Sequence, residues 1–290
     1  MLTDLVINLN KPCGITSHGA IQRLKSILKA KKAGHSGTLD PLAEGVLVVM
    51  TGRATKLAGY FVGLNKEYVA TIRLGVATDT LDREGRVVRE SAVSADVSEH
   101  INAALSCFTG AIEQTPPMFS ALKSNGQPLY KLARQGIEIN RAKRPVTIYE
   151  IEMLDYKNPF LTIRVLCSKG TYIRALAADL AEELGTCGHI HSLVRTKVGG
   201  FTINDSFQLE KPASENMGIY SMDAALSHLH EIALDAAEMR DFLNGRIINS
   251  MPATDSGVPF YRVKDSGGTL VAIAQRLEDG IRLQTMLGSR

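Results

Sequence analysis

The sequence predicts an α+β body with a small β-rich unit attached at its C-terminal end. Residues 68–74 and 161–167 alternate in the manner of strands, whereas residues 16–31 and 173–184 repeat apolar side chains at helical spacing. The last stretch, about 60 residues long, has short apolar runs between glycine-containing turns. With 290 residues, 44% of them hydrophobic, the chain can bury one large core and a small appendage.

The first helix is predicted over Thr16–Lys31. Ser17 stands where an N-cap belongs, and apolar residues then recur on one face, which leaves a basic outer face. The strand Tyr68–Leu74 is apolar on nearly both sides, so we expect it near the middle of a sheet.

A second strand, Leu161–Cys167, leads through a turn into a helix that ends at Gly185, and this helix carries Arg174 in its first turn. Further helical patterns cover residues 94–108 and 233–244. In the tail, the pairs Gly267-Gly268 and Asp279-Gly280 predict two hairpins.

Composition argues against a membrane or disulfide-rich protein. No apolar run approaches the roughly 20 residues of a membrane-spanning helix. Asp4 lies where a secretory signal would be basic, so we expect a cytoplasmic protein without membrane contact. The 4 cysteines include no C-x-x-C pair, which favours reduced thiols.

Positive charge is concentrated in two segments, although the net charge is only +3. Between Asp4 and Asp40 every charged residue is basic, and Lys123–Arg144 contains one acid among several bases, interleaved with polar and aromatic residues such as Asn125. Either segment alone could be a solvated helix face, but two favour a nucleic-acid backbone as the partner.

The acid Asp40 lies between a glycine-rich turn and Pro41, just before the buried run Val46–Met50. A phosphorylated aspartate would precede Gly-Thr in the chain, whereas Asp40 follows it. The cluster Cys187-Gly188-His189-Ile190-His191 lacks the spacing of a zinc site. The acids of TDTLDREG (Thr78–Gly85) lack the spacing of an EF-hand, and we expect a surface turn there.

Over roughly residues 5 to 228 the chain resembles the TruB family of tRNA pseudouridine synthases in an ordered series of blocks. These are NKPCGITSH (10–18), KKAGHSGTLDPLAEGVLVV (31–49), GRATKL (52–57), KEYVATIRLG (66–75), TDTLDREG (78–85), QTPPMFSALKSNGQPLYKLARQGIE (114–138) and CSKGTYIRALAADL (167–180).

The resemblance implies a mixed central β-sheet with flanking helices in residues 1–231, and a short PUA-like RNA-binding domain in residues 232–290. It implies that uridine in the T-loop of tRNA, at tRNA position 55, is converted to pseudouridine by base flipping, with no cofactor and no metal. A basic thumb at about residues 120–145 would cover the RNA. We expect a monomer whose partner is the tRNA T-arm, with no obligate protein partner.

The resemblance also implies roles for single residues. Asp40 would be the catalytic carboxylate, Arg174 the cation that holds it ionised, and Tyr68 a group that stacks on uracil. His35 would enter the T-loop in place of the flipped base. The other expected substrate-binding residues are Leu193, Lys11, Lys123, Tyr130, Arg134 and Arg144.

Two other functions remain open at this point. A non-catalytic RNA-binding or tRNA-folding protein could use the same basic segments and the same tail. A guide-RNA-dependent relative would need a larger tail and protein partners, and the short tail argues against it.

Overall fold

The computed structural model of the chain describes residues 4–120, 122–124, 126–211, 215, 217–249 and 259–288. Its main body is built on an 11-stranded mixed sheet, which confirms the predicted fold class. In chain order, the strands of the body are β1 Val6–Lys11, β2 Ala33–His35, β3 Glu44–Thr51, β4 Lys66–Leu74, β5 Val76–Thr78, β6 Val87–Glu90, β7 Gly110–Gln114, β8 Lys123–Ser124, β9 Gln127–Pro128, β10 Arg144–Lys157, β11 Phe160–Cys167, β12 Gly188–Val198, β13 Phe201–Thr202, β14 Phe207–Gln208 and β15 Ile219–Tyr220.

The central path of the sheet runs β14-β1-β3-β12-β4-β11-β10-β7. The described helices are α1 Ser17–Leu28, α2 Ala58–Val62, α3 Val97–Cys107, α4 Leu129–Arg134, α5 Ile173–Glu183, α6 Met222–Ala225 and α7 Ala236–Leu243, with 3-10 helices at Gly52–Leu57 and Ile203–Asp205. In the part of the chain that the structure describes, none of the helices is long and apolar enough to span a bilayer.

Strand β4 lies between β12 and β11, as its sequence predicted. Its residues alternate between the two faces: Tyr68, Ala70 and Ile72 are buried in the core, whereas their neighbours are half-buried or, at Arg73, exposed. The buried side faces α5, whose apolar stripe includes Leu176 and Leu180. This packing turns Tyr68 and the first turn of α5 toward the same interior space.

The start of α1 differs by one residue from the prediction. Thr16 is the N-cap, since its hydroxyl accepts from Gly19 N–H at 3.0 Å. Ser17 is buried instead, and its hydroxyl exchanges two hydrogen bonds with the backbone of Leu39, at 2.8 and 2.9 Å. Ser17 therefore ties α1 to the loop that carries Asp40.

The C-terminal part forms a separate four-stranded sheet, in the order β16 His230–Ala233, β17 Phe260–Lys264, β18 Leu270–Leu277 and β19 Gly280–Met286. Both expected hairpins are present, joining β17 to β18 and β18 to β19. The expected domain boundary at 231/232 stays a prediction, and β16 spans it.

This C-terminal sheet packs on the 3-10 helix Gly52–Leu57 and on α2. Tyr60 and Thr285 share a hydrogen bond of 2.8 Å between their hydroxyls. Ile273 and Leu287 belong to the same hydrophobic cluster as Phe61 of the body. The tail is therefore fixed to the body through apolar contacts as well as hydrogen bonds.

Candidate active site

A cavity of about 510 Å³ opens at the centre of the body, where four elements meet. Asp40 comes from the loop between β2 and β3, Tyr68 from β4, Arg174 from α5 and Leu193 from β12, and all four line the cavity. The structure thus brings together the three expected catalytic residues and one expected substrate contact, although they are far apart in sequence.

Arg174 is buried at the centre of the site and contacts several of its residues. Its Nη2 donates to Asp40 Oδ1 at 3.2 Å, and its Nε lies 2.8 Å from Asp40 Oδ2 without directing its N–H at an acceptor. The same guanidinium donates to the carbonyls of Thr80 and Phe119, each at 2.7 Å. Arg174 lies in the first turn of α5, as predicted. Its guanidinium is surrounded by carboxylate and carbonyl oxygens that accept its hydrogen bonds.

Asp82 was missed by the sequence analysis, which expected a surface turn there. Its side chain is only 7% exposed, and Oδ2 lies 3.4 Å from Arg174 Nη1. Thr80 Oγ1 donates to Asp82 Oδ1 at 2.7 Å, and Glu84 N–H donates to the same oxygen at 3.1 Å. Arg174 consequently sits between two carboxylates, of which Asp82 is the more deeply buried.

The Asp40 carboxylate is 35% exposed and faces the cavity. Burial is the strongest influence on its pKa and raises it above the ordinary value of 3.8. The positive charge of Arg174 opposes this rise, whereas the negative charge of Asp82 adds to it. Arg174 thus limits the rise in the pKa of Asp40 and does not produce a net fall.

Tyr68 is buried beside Asp40, and burial raises the pKa of its phenol, so it stays protonated at neutral pH. Arg195 of β12 lies next to it and was also missed by the sequence analysis. This arginine is buried and donates from Nε to Val46 O at 2.6 Å and from Nη2 to Gly37 O at 3.2 Å. Arg195 therefore braces the Asp40 loop against β3.

Lys11 does not fit the expected role of an RNA contact. Its side chain is 0% exposed, and its ammonium donates to the carbonyls of Pro12, Ile15 and Pro41, at 2.9, 2.7 and 3.3 Å. A fully enclosed ammonium cannot reach a phosphate at the surface. Its contact with Pro41 instead supports the backbone next to Asp40.

His35 ends β2, five residues before Asp40, and is half-buried at the edge of the site. Its Nδ1 accepts from Gly37 N–H at 3.2 Å, and burial lowers the pKa of the imidazole. The ring is therefore neutral at pH 7. A neutral, flat ring at this edge is compatible with stacking on a base.

The expected thumb borders the cavity through Leu122. Lys123, Arg134 and Arg144 are exposed, and the Arg134 guanidinium lies 5.6 Å from the centre of the Tyr130 ring, a cation–π contact. Residues 121 and 125, the latter the Asn125 of the basic segment, lie outside the described residues. The exposed cations of the thumb leave a basic surface next to the cavity.

The cluster from Cys187 to His191 has structural partners. His189 is buried and its Nδ1 lies 2.7 Å from Val76 O, whereas His191 packs against the ring of Phe160 at 4.9 Å between centroids. Cys187 N–H donates to the hydroxyl of Ser91 at 2.9 Å. Each of these residues serves the packing around β12.

The sequence model of the TruB family pseudouridylate synthase N-terminal domain matches residues 25–173. A tRNA pseudouridine synthase B from Aromatoleum aromaticum is 45% identical over 252 residues, which cover 85% of this chain and 82% of that protein. One from Clostridium kluyveri is 43% identical over 274 residues, covering 93% and 94%.

Among solved structures, a chain from a crystallised Cbf5-Nop10-Gar1 complex superposes with a TM-score of 0.75 at 25% identity, over 99% of this chain and 85% of that chain. The likeness therefore extends over the body and the C-terminal sheet.

Proposed function

The chain belongs to the TruB family of pseudouridylate synthases, which makes it an enzyme that converts uridine to pseudouridine in tRNA, and we propose that its target is the T-loop uridine at tRNA position 55. The observation that carries the proposal is the Asp40 carboxylate, held by Arg174 inside a cavity that Tyr68 and Leu193 also line. A cavity of about 510 Å³ falls within the usual range for small-molecule sites, and we expect it to receive one extruded nucleotide.

The chemistry is an isomerisation. The bond from N1 of uracil to C1′ of the ribose breaks, the base turns, a bond from C5 to C1′ forms, and C5 loses a proton while N1 gains one. The reaction is redox-neutral, so acid–base and nucleophilic groups suffice, and we propose that no metal or cofactor takes part.

Asp40 acts in this reaction in its ionised form, on the sugar or on the base. Arg174 orients the carboxylate and offsets part of the cost of its charge inside the cavity. Tyr68 contacts the face of the uracil and, as a neutral phenol, can donate a hydrogen bond. Leu193 supplies an apolar wall, and His35 fills the gap left in the T-loop.

The exposed cations beside the cavity support RNA binding by the thumb. Lys123, Arg134 and Arg144 would contact backbone phosphates, and Tyr130 would offer an aromatic face. The PUA-like tail would extend the RNA contact. We propose a monomer that needs no protein partner, because Asp40, Tyr68 and Arg174 are all supplied by this one chain. The expected cytoplasmic location, where tRNA substrate is available, remains part of the proposal.

The test compares the wild-type protein with Asp40→Asn on an unmodified tRNA transcript, with pseudouridine scored by carbodiimide-dependent primer stops. Glu44→Gln is the matched control, because it makes the same chemical change at an exposed residue four positions away. We expect a stop at position 55 with the wild type and with Glu44→Gln, and none with Asp40→Asn.

Equal product from Asp40→Asn would remove this carboxylate from the mechanism. A stop elsewhere in the tRNA would contradict the assigned position. No product from the wild type, with the transcript still bound, would favour the non-catalytic RNA-binding protein.

A further inference from the structure

Helix α5 starts without the local groups that usually stabilise a helix N-terminus. Its N-cap residue, Tyr172, makes no capping hydrogen bond through its side chain, and the first turn contains no acid. Arg174 lies in that turn, where a cation faces the positive end of the helix dipole. Another part of the fold must therefore hold the start of α5 in place.

Gln114, the last residue of β7, makes this contact. Its Oε1 accepts from Tyr172 N–H at 3.0 Å, and its Nε2 donates to Tyr172 C=O at 3.4 Å. The amide orientation is fixed, because the backbone N–H can only donate and the carbonyl can only accept. Gln114 is 1% exposed, so water does not compete for either bond.

This contact resembles half of a capping box supplied from a distant strand. In a capping box, the side chain at the third helical residue accepts from the N-cap N–H. Ala175 occupies that position in α5 and has no such group. Gln114 supplies the acceptor from a strand that lies 58 residues earlier in the chain.

The same segment also reaches the catalytic arginine directly. Five residues after Gln114, the carbonyl of Phe119 accepts from Arg174 Nη2 at 2.7 Å. Tyr172, which Gln114 holds, lines the cavity two residues before Arg174. The peptide before Arg174 and its guanidinium are thus held by one stretch of chain, at the root of the thumb.

We propose that Gln114 is a positioning residue for pseudouridine formation, whose amide fixes the start of α5 so that the guanidinium of Arg174 stays on Asp40. The inference rests on the proposed roles of Asp40 and Arg174. Gln114 itself touches no substrate. Its contribution is to the geometry of the ion pair.

Gln114→Met keeps the size of the side chain and removes both hydrogen bonds. Tyr172 C=O keeps its bond from Leu176 N–H, but Tyr172 N–H is left without its acceptor. A displacement of Arg174 of the order of 1 Å is expected to slow single-turnover pseudouridine formation by about 10- to 100-fold. RNA affinity should stay unchanged, because Gln114 is buried and has no surface with which to contact RNA.

The pH profile separates positioning from mere stability. Asp40 is faced by Arg174 from α5, by Asp82 from the loop after β5 and by Lys11 from β1. The phenols of Tyr68 from β4 and of Tyr172 before α5 also lie near it, and burial raises the pKa of both, so they stay neutral over this pH range. A looser Arg174 opposes the rise in the Asp40 pKa less strongly, so the acid limb of the rate profile should move to higher pH in Gln114→Met.

Single-turnover rates on a tRNA transcript are measured from pH 4 to 8, with enzyme in excess, together with RNA affinity and thermal unfolding. Gln114→Glu is the conservative variant. Burial favours its neutral carboxyl group, which can still accept from Tyr172 N–H and donate to Tyr172 C=O, so this variant should recover most of the plateau rate. Val263→Ala, a truncation in the core of the C-terminal sheet, is the control for stability alone.

A wild-type rate and profile in Gln114→Met would overturn the inference. A slower rate in Gln114→Met with an unmoved acid limb would also overturn it, because a variant that only loses stability, such as Val263→Ala, leaves the acid limb in place. A plateau rate in Gln114→Glu as low as that in Gln114→Met would overturn it as well. Failure of the wild type to form pseudouridine would refute the proposed function itself. This result is distinct from the others, because they all compare variants with an active wild type.

Discussion

Replacement of Arg174 by methionine should destabilise the protein mainly through Asp82, and only weakly through Asp40. Arg174 contacts both carboxylates, but the Asp82 side chain is 7% exposed and the Asp40 side chain is 35% exposed. When the guanidinium is removed, water in the cavity can hydrate Asp40. Asp82 has no such access and is left as a buried charge.

The size of the effect follows from these exposures. Removing one partner of a buried ion pair costs about 3 to 5 kcal/mol, whereas exposed pairs contribute about 0 to 1 kcal/mol. Asp82 keeps its hydrogen bonds from Thr80 and Glu84, so the lower end applies, about 3 kcal/mol. In double-mutant cycles, Arg174→Met should couple to Asp82→Asn by about 1 to 3 kcal/mol and to Asp40→Asn by less than about 1 kcal/mol.

The assay is urea unfolding at pH 7, monitored by far-UV circular dichroism. Tryptophan fluorescence is not an option, because the chain contains no tryptophan. The m value must stay constant across the variants for the free energies to be comparable. Arg246→Met is the matched control, because Arg246 pairs with Asp241 at the surface and should change stability by less than about 0.5 kcal/mol.

A cost below about 1 kcal/mol for Arg174→Met would refute the reasoning, because a buried charge would then have lost its partner almost without penalty. Stronger coupling of Arg174 to Asp40 than to Asp82 would refute it as well.

Three further predictions concern titration and charge. Since Asp40 acts as an anion and its pKa lies above 3.8, the single-turnover rate should be lost as the pH falls through a midpoint above 3.8; a lower midpoint would contradict the burial of its charge. Neutralising Lys123, Arg134 and Arg144 together should reduce the slope of log affinity against log salt by about 2 to 3, and an unchanged slope would remove them from the RNA interface. Burial lowers the pKa of Lys66 from 10.5 to about 8, so between these values the unfolded state binds more protons than the folded state, and the free energy of unfolding should rise with pH. Lys66→Met should lack this contribution to the rise. Equal pH dependence of the free energy of unfolding in wild type and Lys66→Met, measured by urea titration, would contradict the prediction.

The elements that the sequence predicted well are those with a strong local pattern. Strand β4, strand β11 and helix α5 each show a clear apolar period, and each formed close to the expected residues. Four residues of the cavity wall, Asp40, Tyr68, Arg174 and Leu193, were identified through the family resemblance. Local patterns and motifs therefore sufficed for the body and for the main members of the site.

Asp82 and Lys11 were misread because their burial depends on distant partners. An acid in a glycine-containing turn normally faces water, and nothing near Asp82 shows that an arginine 92 residues later will bind it. Lys11 belongs to a segment rich in basic residues, and such a segment predicts a charged surface patch. Three backbone carbonyls that enclose its ammonium come together only in the folded chain.

Arg195 was overlooked for a related reason. It lies in β12, where half-buried and buried residues alternate, and an arginine in such a strand is expected on the outer face. The acceptors that allow it to turn inward are carbonyls of Val46 and Gly37, from two other segments. Single-sequence patterns carry no information about such pairings.

The packing of the C-terminal sheet on the body has a consequence for how the chain is made. Phe61 and Leu287 share one hydrophobic cluster, and a ribosome that adds about 5 to 20 residues per second leaves the earlier residue waiting for roughly 10 to 45 seconds. During this interval the nascent chain exposes an apolar face around α2, next to Val62 in the cavity wall. Phe61 also packs on Phe201 of the body, with 5.8 Å between ring centroids, so α2 is held in part before the tail is made. The side of α2 that faces Ile273 and Leu287 is covered only when the last strands have been translated.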